Sequence, residues 1–159
     1  MGDRKLKKVG DSMMEQVYQV RPGHLNGAGR LFGGRLMEWI DELAALVAMR
    51  HSHASVVTAS VDNLKFIQGA YQNELIVLTG KVTYVGTSSM EIRVDTYAES
   101  MDGIRRPINR AYVTMVAIDE NENKIEVPGL ILESESEKAE WEAGIKRCEM
   151  RKKRNAEGF

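Results

Sequence analysis

Residues 24–53 read HLNGAGRLFGGRLMEWIDELAALVAMRHSH and predict a glycine-bearing loop that leads into an apolar helix. The periodicity predicts that this helix runs from Gly34 to about Arg50, a length of roughly 25 Å at about 1.5 Å per residue. Apolar residues recur at helical spacing and form a broad face, so we expect the helix to be buried among other elements. That face consists of Leu36, Ile40, Leu43, Leu46 and Val47.

Asp41 interrupts the apolar character of this helix. Glu38 and Glu42 fall toward Arg35, as on an ordinary solvated edge, but the residues that share a face with Asp41 are small or apolar. A carboxylate in such a place costs several kcal/mol unless it finds partners or faces a ligand. The spacing leaves open whether Asp41 belongs to a site or is bonded to neighbouring backbone. The residues on its face are Gly34, Met37, Ala44, Ala45 and Ala48.

The start of the helix has no residue that can cap it. Helices normally begin after Ser, Thr, Asp or Asn, whereas this one begins after Leu31 and Phe32, at Gly33 and Gly34. Its first amides are therefore left for water or for a ligand oxygen, at the positive end of the helix dipole. Bare amides and a carboxylate two turns on can polarise a carbonyl and direct a nucleophile to it. The alternative is that the glycines only permit tight packing.

The composition limits the classes of function. With 159 residues the chain predicts one domain, and its formal charge of −1 argues against nucleic acid as a partner. The lone cysteine, Cys148, excludes an internal disulfide and fits a reducing compartment. We find no signal peptide and no apolar run near the ~20 residues of a membrane span, so we expect a soluble, cytoplasmic protein. His51 and His53 alone are weak evidence for a metal, and we predict none.

The rest of the chain predicts strands around the helix. Segments rich in β-branched and aromatic residues alternate with short turns, which favour antiparallel neighbours. We therefore predict an α+β fold in which a curved antiparallel sheet surrounds the long helix. Residues 1–11 are expected to be a solvated basic segment, and residues 12–130 the domain. The predicted strands are 13–20, 55–66, 74–85, 88–98 and 110–119.

A charged helix is predicted in the C-terminal part, residues 131–159. Ser134 and Glu137 form a capping-box pattern, and the helix should run from about 135 to about 154. Acidic residues come first and basic residues last, which suits the helix dipole. We interpret it as a solvated surface helix with one docked face at Trp141 and Ile145, although its basic end could meet an anionic partner.

Short motifs spread over residues 12–130 together resemble one family, the hotdog-fold acyl-CoA thioesterases. The resemblance is closest to the branch of YciA-like and cytosolic acyl-CoA hydrolases. Gly69 and Ala70 depart from the pattern, since the family commonly has proline there. The matching motifs are Asn26-x-x-Gly29-x-Leu31-Phe32-Gly33-Gly34 with Met37 and Asp41, Val57-Thr58-x-x-Val61-Asp62 with Phe66, Val85-Gly86-Thr87-Ser88-Ser89, Ile118-Asp119 and Val127-Pro128.

The resemblance implies a helix wrapped by a sheet, with two sheets joined edge to edge in a homodimer. We expect the dimer to be the minimal active unit and a trimer of dimers to be the assembly. The active sites of the family lie at the dimer interface. By position, Asp41 matches the catalytic carboxylate and Asn26 the loop asparagine, which reach the thioester from different protomers. Gly33 and Gly34 match the glycines whose amides face its carbonyl.

The implied reaction is hydrolysis of an acyl-CoA thioester to a carboxylic acid and CoA. Asp41 would serve as general base for water or attack the carbonyl itself. Amides at the helix start would stabilise the oxyanion, and loss of one such donor typically costs ~3 kcal/mol. Asn26 would orient water or hold the carbonyl, unless Asn26 and Gly27 are simply a turn.

Further substrate contacts are expected from the resemblance. The segment Gly86, Thr87, Ser88 and Ser89 lies along the CoA groove of the family, where hydroxyls and amides suit phosphates or pantetheine. It could also be only a hairpin turn. The C-terminal helix is outside the match, and it is the order of its charges that lets its basic end meet CoA phosphates, as the alternative to a solvated helix. The other expected substrate contacts are His24, Phe32 and Met37.

Three other expectations complete the prediction. Asp62 is interpreted as structural. No cofactor is expected, since CoA is part of the substrate and product. A hotdog dehydratase would need a catalytic histidine at the loop–helix junction, and His24 lies upstream of it. An acyl-CoA-binding sensor would need no carboxylate and would often carry a DNA-binding segment, so we favour the hydrolase over both.

Overall fold

One long helix crosses a five-stranded antiparallel sheet in the computed structural model, which describes residues 2–159. The strand order of the sheet is β2-β4-β5-β6-β3, and β1 and β7 form a separate parallel pair. This is the α+β hotdog arrangement that the sequence predicts. The elements are β1 Leu6–Lys8, β2 Met14–Gln19, α1 Gly33–Ser52, β3 Ser55–Asp62, β4 Leu75–Val85, β5 Ser89–Glu99, β6 Arg105–Ile118, β7 Gly129–Ile131 and α2 Glu135–Glu157.

The buried face of α1 differs in part from the predicted one. Leu36, Ile40, Leu43 and Val47 are buried as expected. Leu46 is 37% exposed, and the prediction that it belongs to the buried face is wrong. The sheet covers α1 on one side only, and Leu46 lies outside that cover. Trp39, only 5% exposed, completes the buried face instead.

Strand β3 forms one edge of the sheet and contains a bulge. It pairs with β6 alone, and the register shifts between Thr58 and Ser60. A bulge switches which residues point to which face of a sheet. Thr58 is therefore opposite Met115, a core residue on the α1 side, whereas Asp62 is opposite Tyr112 on the outer face.

The basic N-terminal segment is not simply solvated, and this corrects the sequence interpretation. Strand β1 pairs with β7, and Arg4 donates to the carbonyl of Val127 at 2.8 Å. The ammonium of Lys7 donates to the carbonyls of Arg50 at 2.6 Å and His51 at 3.3 Å. These carbonyls lie at the C-terminal end of α1, where a cation satisfies unpaired acceptors and the helix dipole.

The C-terminal helix begins with the predicted cap. The amide of Glu137 donates to Oγ of Ser134 at 3.1 Å, and Oε2 of Glu137 accepts from the amide of Glu133. At its far end α2 extends to Glu157, beyond the predicted end near 154. The cap is therefore the predicted one, whereas the helix is about three residues longer than predicted.

The same helix is docked more closely than a solvated surface helix. As predicted, Trp141 contacts the sheet, with its ring 4.6 Å from that of Tyr84. Gly144 is buried, and a Cβ there would lie 2.7 Å from Cβ of Tyr84, so glycine allows the close approach. Arg147 donates through Nε and Nη2 to Glu91, which is 1% exposed. Charged residues that looked like solvated ones thus hold α2 to the sheet.

His51 links the end of α1 to the segment before β7. It is fully buried, and its Nε2 lies 2.8 Å from the carbonyl oxygen of Pro128, which is an acceptor only. Nε2 is therefore protonated. Burial lowers the pKa of His51 below its usual value, although the bond to Pro128 acts in the opposite direction; the charges of Lys7 and Arg4 add to the lowering. The ring is thus held neutral in the folded chain.

The lowered pKa predicts that acid destabilises the fold. Below about pH 6.5 a histidine in the unfolded chain binds a proton more readily than His51 does in the folded chain. The free energy of unfolding therefore falls as pH decreases through that range. Its slope should be up to ~1.4 kcal/mol per pH unit from this residue. Urea unfolding between pH 7.5 and 5.5 measures it. His51→Gln keeps a donor for Pro128 and should have a shallower slope; an equal slope in both proteins would contradict the assignment.

Candidate active site

Asp41 lies at the middle of α1, beside a cavity of about 240 Å³. Oγ1 of Thr58 donates a hydrogen bond of 2.8 Å to Oδ1 of Asp41. Sδ of Met115 is a second possible acceptor for this hydroxyl at 3.5 Å, but the carboxylate is the stronger one. Thr58 therefore fixes one carboxylate oxygen and leaves the other free. The cavity is lined by Met37, Ile40, Asp41, Thr58, Val61 and Leu64.

In a single chain Asp41 is exposed, whereas the sequence placed it on a buried stripe. The stripe itself is apolar as predicted, but the sheet ends at β3 and leaves this flank of α1 uncovered. Asp41 thus lies on an exposed apolar surface and not in bulk solvent among polar residues. The large apolar residues exposed on α1 and β3 are Met37, Leu46, Met49, Val57 and Val61.

The side-chain oxygen of Asn26 is part of a turn. It accepts from the amides of Ala28 at 2.9 Å and Arg30 at 3.1 Å, so the turn interpretation holds for this atom. Two N–H donors on one atom fix that atom as the oxygen and define the orientation of the side-chain amide. Among residues 2–159 no acceptor binds Nδ2 of Asn26. The loop therefore presents the NH2 group of Asn26 as a donor in a defined direction.

The first amides of α1 are bare, as the sequence predicts. Phe32 at the N-cap provides no side-chain cap, and the amides of Gly33 and Gly34 donate to no acceptor within residues 2–159. Gly33 lies against the ring of Phe66, and a Cβ at Gly34 would overlap the ring of Phe32. Two unpaired donors thus lie at the start of α1 beside two aromatic rings, and such donors suit a developing oxyanion.

Asn26 and Gly33 lie in a different cavity from Asp41. Their cavity, of about 320 Å³, is also lined by Leu36 and Phe66. Gly33 begins α1, and Asp41 comes about 12 Å farther along the helix axis at 1.5 Å per residue. One chain therefore does not bring the predicted donors and the predicted base together.

Two of the predicted substrate contacts lie near these cavities and one does not. Phe32 covers Gly34, and Met37 lines the cavity of Asp41. His24 lies in the base of the loop, where Nδ1 accepts from the amide of Arg21 at 3.0 Å. Its ring meets Trp39 edge-on at 5.1 Å. These contacts give His24 a structural explanation, and its contact with substrate stays a prediction.

The segment from Gly86 to Ser89 forms the hairpin turn between β4 and β5, where the amide of Gly86 donates to the carbonyl of Ser89. The carbonyl of Thr87 accepts from Val127, and that of Ser88 accepts from Ala117. This turn is near the C-terminal end of α1, and the Asn26 loop is at the other end. Within one chain the turn interpretation accounts for it, and its contact with CoA stays a prediction.

Sequence reasoning gave Thr58 no role. It lay inside a matching motif, but a threonine in a strand is ordinary. Thr58 shares the α1 face with Val56 by ordinary alternation, and only the fold shows that Asp41 lies beside it. Asp62 was interpreted as structural, and this is confirmed. Its carboxylate accepts from Arg151 at 3.1 Å and Arg154 at 2.7 Å, which holds α2 against the end of β3.

Residues 2–159 contain no cluster of histidine, cysteine or carboxylate side chains that could hold a metal ion. None of their helices is long and apolar enough to cross a membrane.

Comparison with known proteins identifies the family. The model of the thioesterase superfamily matches residues 28–104. An uncharacterized acyl-CoA thioester hydrolase of Bacillus subtilis, YkhA, is 36% identical over 145 residues, which cover 91% of this chain and 84% of that protein. The chain belongs to the thioesterase superfamily, and within it to the acyl-CoA thioester hydrolases, which are enzymes.

Solved structures agree with this assignment. A hexameric acyl-CoA thioesterase is 37% identical, with a TM-score of 0.92 over 96% of this chain and 98% of the other. The acyl-CoA hydrolase of Staphylococcus aureus, in complex with butyryl-CoA and CoA, is 35% identical, with a TM-score of 0.89 over 96% and 93% of the two chains. The human cytosolic acyl coenzyme A thioester hydrolase is 32% identical over 140 residues, but the chain spans only 37% of its length.

Proposed function

We propose that this chain hydrolyses acyl-CoA thioesters at sites shared between two copies, with Asp41 as the catalytic carboxylate. The observation that carries the proposal is the hydrogen bond from Thr58 to Asp41 at an apolar cavity, on the one flank of α1 that its own sheet leaves open. A carboxylate with one oxygen fixed and one free is arranged to take a proton or to attack a carbonyl.

In the proposed reaction the free oxygen of Asp41 acts in one of two ways. As a general base it takes a proton from water while the water oxygen bonds to the thioester carbon. As a nucleophile it bonds to that carbon itself, and water then hydrolyses the anhydride. In both routes the carbon–sulfur bond breaks, CoA leaves and takes up a proton as its thiol, and the acyl group leaves as a carboxylic acid.

Backbone amides and Asn26 would stabilise the charge that develops on the carbonyl oxygen. The amides of Gly33 and Gly34 have no partner among residues 2–159 and lie at the positive end of α1, so they need no rearrangement to donate. Nδ2 of Asn26 adds a third donor. Since Oδ1 of Asn26 is occupied by the turn, we assign Asn26 to hold the carbonyl through its NH2 group and not to accept from water.

Two copies joined through β3 would complete the site. The outer edge of β3 is unpaired within the chain, and pairing of β3 with its own copy about a two-fold axis is antiparallel. The start of β3 in one copy then faces the end of β3 in the other. The Asn26 loop is at the level of that end, since Leu31 donates to Ala70 and Gly33 lies against Phe66. One copy thereby supplies Asp41 and the other the amides and Asn26.

The same pairing brings the hairpin turn of residues 86–89 to the site. Ser89 and Val57 both pair with Val116, so this turn is at the level of the start of β3. In the pair it would face the end of β3 and the Asn26 loop of the second copy. This supports our prediction that Gly86, Thr87, Ser88 and Ser89 contact CoA, although one chain alone keeps them away from Asn26.

Variants of the Staphylococcus aureus hydrolase support the choice of residues. Structures of that enzyme include alanine variants of an asparagine, an aspartate and a threonine. The three positions are separated by 15 and 17 residues in that chain, and Asn26, Asp41 and Thr58 have the same separations here. The three residues that we propose for the site thus coincide in spacing with residues altered in a relative.

The remaining parts of the proposal concern assembly and setting. We propose a trimer of dimers in which the homodimer is the minimal active unit, and the hexameric relative supports an assembly of six chains. CoA enters and leaves as part of substrate and product, and no cofactor takes part. The cytosolic human relative supports a cytoplasmic location. A dehydratase is less well supported because His24 is committed to the turn at Arg21 and to Trp39.

Removal of the carboxylate charge tests the reaction. Asp41→Asn keeps the size of the side chain and its bond to Thr58, but it can neither take a proton from water nor attack, so turnover should fall by 10²-fold or more. Release of thiol from a panel of acyl-CoA esters measures it, with melting temperature as the control. Wild-type protein that binds the esters without releasing thiol would identify a binding module instead.

Thr58 should act through Asp41. Thr58→Val removes the hydroxyl at nearly constant shape and should lower kcat roughly tenfold with little change in melting temperature, since it costs one charge-assisted hydrogen bond. Thr58→Ser keeps the hydroxyl and is the matched control. Equal losses in the two variants would show that the methyl group matters and the hydrogen bond does not.

A further inference from the structure

Glu74 and Arg106 form an ion pair beside residues 69–71, the support segment of the Asn26 loop. Nη1 of Arg106 donates to Oε2 of Glu74 at 2.6 Å, and Nη2 donates to Oε1 at 3.0 Å. Two such bonds between a guanidinium and a carboxylate fix the relative position of the two groups. The hydrogen bond from Arg106 holds the pKa of Glu74 below its usual value, although burial acts in the opposite direction, so this carboxyl group stays ionised at neutral pH.

The ion pair also binds the backbone on both sides of Ala70, which is 3% exposed. Oε1 of Glu74 accepts from the amide of Tyr71 at 2.8 Å. Nη2 of Arg106 donates to the carbonyl of Gly69 at 3.3 Å. Glycine restricts the backbone less than any other residue, so the local sequence does not fix the conformation at Gly69. The ion pair therefore holds the support segment at both of its ends.

The Asn26 loop is hydrogen-bonded to the support segment. The amide of Leu31 donates to the carbonyl of Ala70 at 2.8 Å. Arg30 pairs with Tyr71 in an isolated antiparallel bridge. Arg30 also shapes the turn itself, because its amide donates to Oδ1 of Asn26 at 3.1 Å and its carbonyl accepts from the amide of Asn26 at 2.7 Å. The position of the support segment therefore determines the position of the turn that aims the NH2 group of Asn26.

The unpaired amide of Gly33 depends on the same contacts, because Gly33 follows Leu31 by two residues. Among residues 2–159, Glu74 and Arg106 are the only side chains that hydrogen-bond to the backbone of the support segment. Loss of the ion pair would therefore let the support segment and the attached loop shift. Displacement of a group in the site by about 1 Å, through a change far from the chemistry, can lower a rate on the order of 10²-fold.

We propose that this ion pair positions two donors of the site, the NH2 group of Asn26 and the amide of Gly33, for stabilisation of the developing oxyanion. Glu74 and Arg106 are thus positioning residues, and they act through the support segment of their own chain. The inference rests on the proposed hydrolase function and on a site shared by two copies. Because the donors serve the transition state more than the bound ester, loss of the pair lowers kcat and leaves KM unchanged.

Removal of the guanidinium tests the ion pair. Arg106→Gln loses the charge and the bonds to Glu74 and Gly69, so kcat per folded molecule should fall roughly tenfold with KM unchanged. Arg106→Lys keeps the charge but has no planar fork for both carboxylate oxygens, and its kcat should fall to a similar extent. Glu99→Gln breaks the neighbouring ion pair with Arg105 and is the matched control, with the kcat of the wild type. A lower melting temperature with wild-type kcat in both Arg106 variants would overturn the proposal.

Mixed dimers separate positioning from a general loss of stability. When a chain with Asp41→Asn is co-expressed with a chain with Asn26→Ala, the one intact site takes its donors from the Asp41→Asn chain. Arg106→Gln in that chain should give a recovered rate of thiol release about tenfold lower than Arg106→Gln in the other chain, whose donors serve the site that lacks the carboxylate. Equal recovered rates for the two placements would overturn the proposal.

Failure of the proposed function gives a different result. A wild type that releases no thiol contradicts the hydrolase, and a parent mixture without recovery contradicts the shared site. Amide hydrogen exchange then tests the support segment directly. In Arg106→Gln the amide of Leu31 should exchange at least tenfold faster than in the wild type and in Glu99→Gln, because its bond to Ala70 opens more often. Equal exchange of Leu31 in the three proteins, or faster exchange throughout the sheet, would overturn the proposal.

Discussion

The sheet of this chain stops at β3, and that boundary shapes the rest of the molecule. Four strands and the buried face of α1 form an ordinary core, but the flank of α1 beside β3 has no cover from its own chain. A second copy can cover the exposed apolar side chains and pair with the strand edge beside them. Asp41, bonded to Thr58, lies on this flank, so the boundary that invites association also presents the carboxylate.

Local backbone chemistry prepares the other half of the reaction. Glycines at the start of α1 leave two amides unpaired, and the Asn26 turn uses the carbonyl of its side chain to aim the NH2 group outward. These donors lie about two turns of helix from Asp41 within one chain. The donors and the carboxylate are each held in place within one chain, but neither group alone forms a catalytic site.

Ion pairs between α2 and the outer face of the sheet hold the two together. Glu91 is almost fully buried under α2, and the guanidinium of Arg147, the hydroxyl of Thr83 and the guanidinium of Arg151 at 3.8 Å offset the cost of burying its charge. Gly144 permits the approach that brings these groups together. Helix α2 is therefore an integral part of the fold.

The sequence predicted those features that depend on local pattern. Helix α1, its bare amides, the five strands of the sheet and the cap at Ser134 all follow from periodicity and turn chemistry. The bounds differ in places, since β3 ends at Asp62 and not at 66, and β6 begins at Arg105 and not at 110; the short strands β1 and β7 were not predicted. Features that depend on distant contacts were not predictable. Leu46 and Asp41 have apolar neighbours along the helix and are exposed only because the sheet ends beside them. From the sequence, Lys7 is predicted to be solvated, whereas in the fold it donates to a carbonyl at the C-terminal end of α1. Thr58 lies on the α1 face by ordinary alternation, but the strand pattern does not reveal that Asp41 is its partner.

The central claim is that Asp41 of one copy works with Asn26 of another. Mixing two inactive variants, Asp41→Asn and Asn26→Ala, tests it most directly, because a mixed dimer contains one site with both residues intact. After co-expression in equal amounts, thiol release should recover to about a quarter of the wild-type rate, as expected for random pairing about a two-fold axis. A mixture that stays as inactive as its components, although mixed dimers form, would contradict the account.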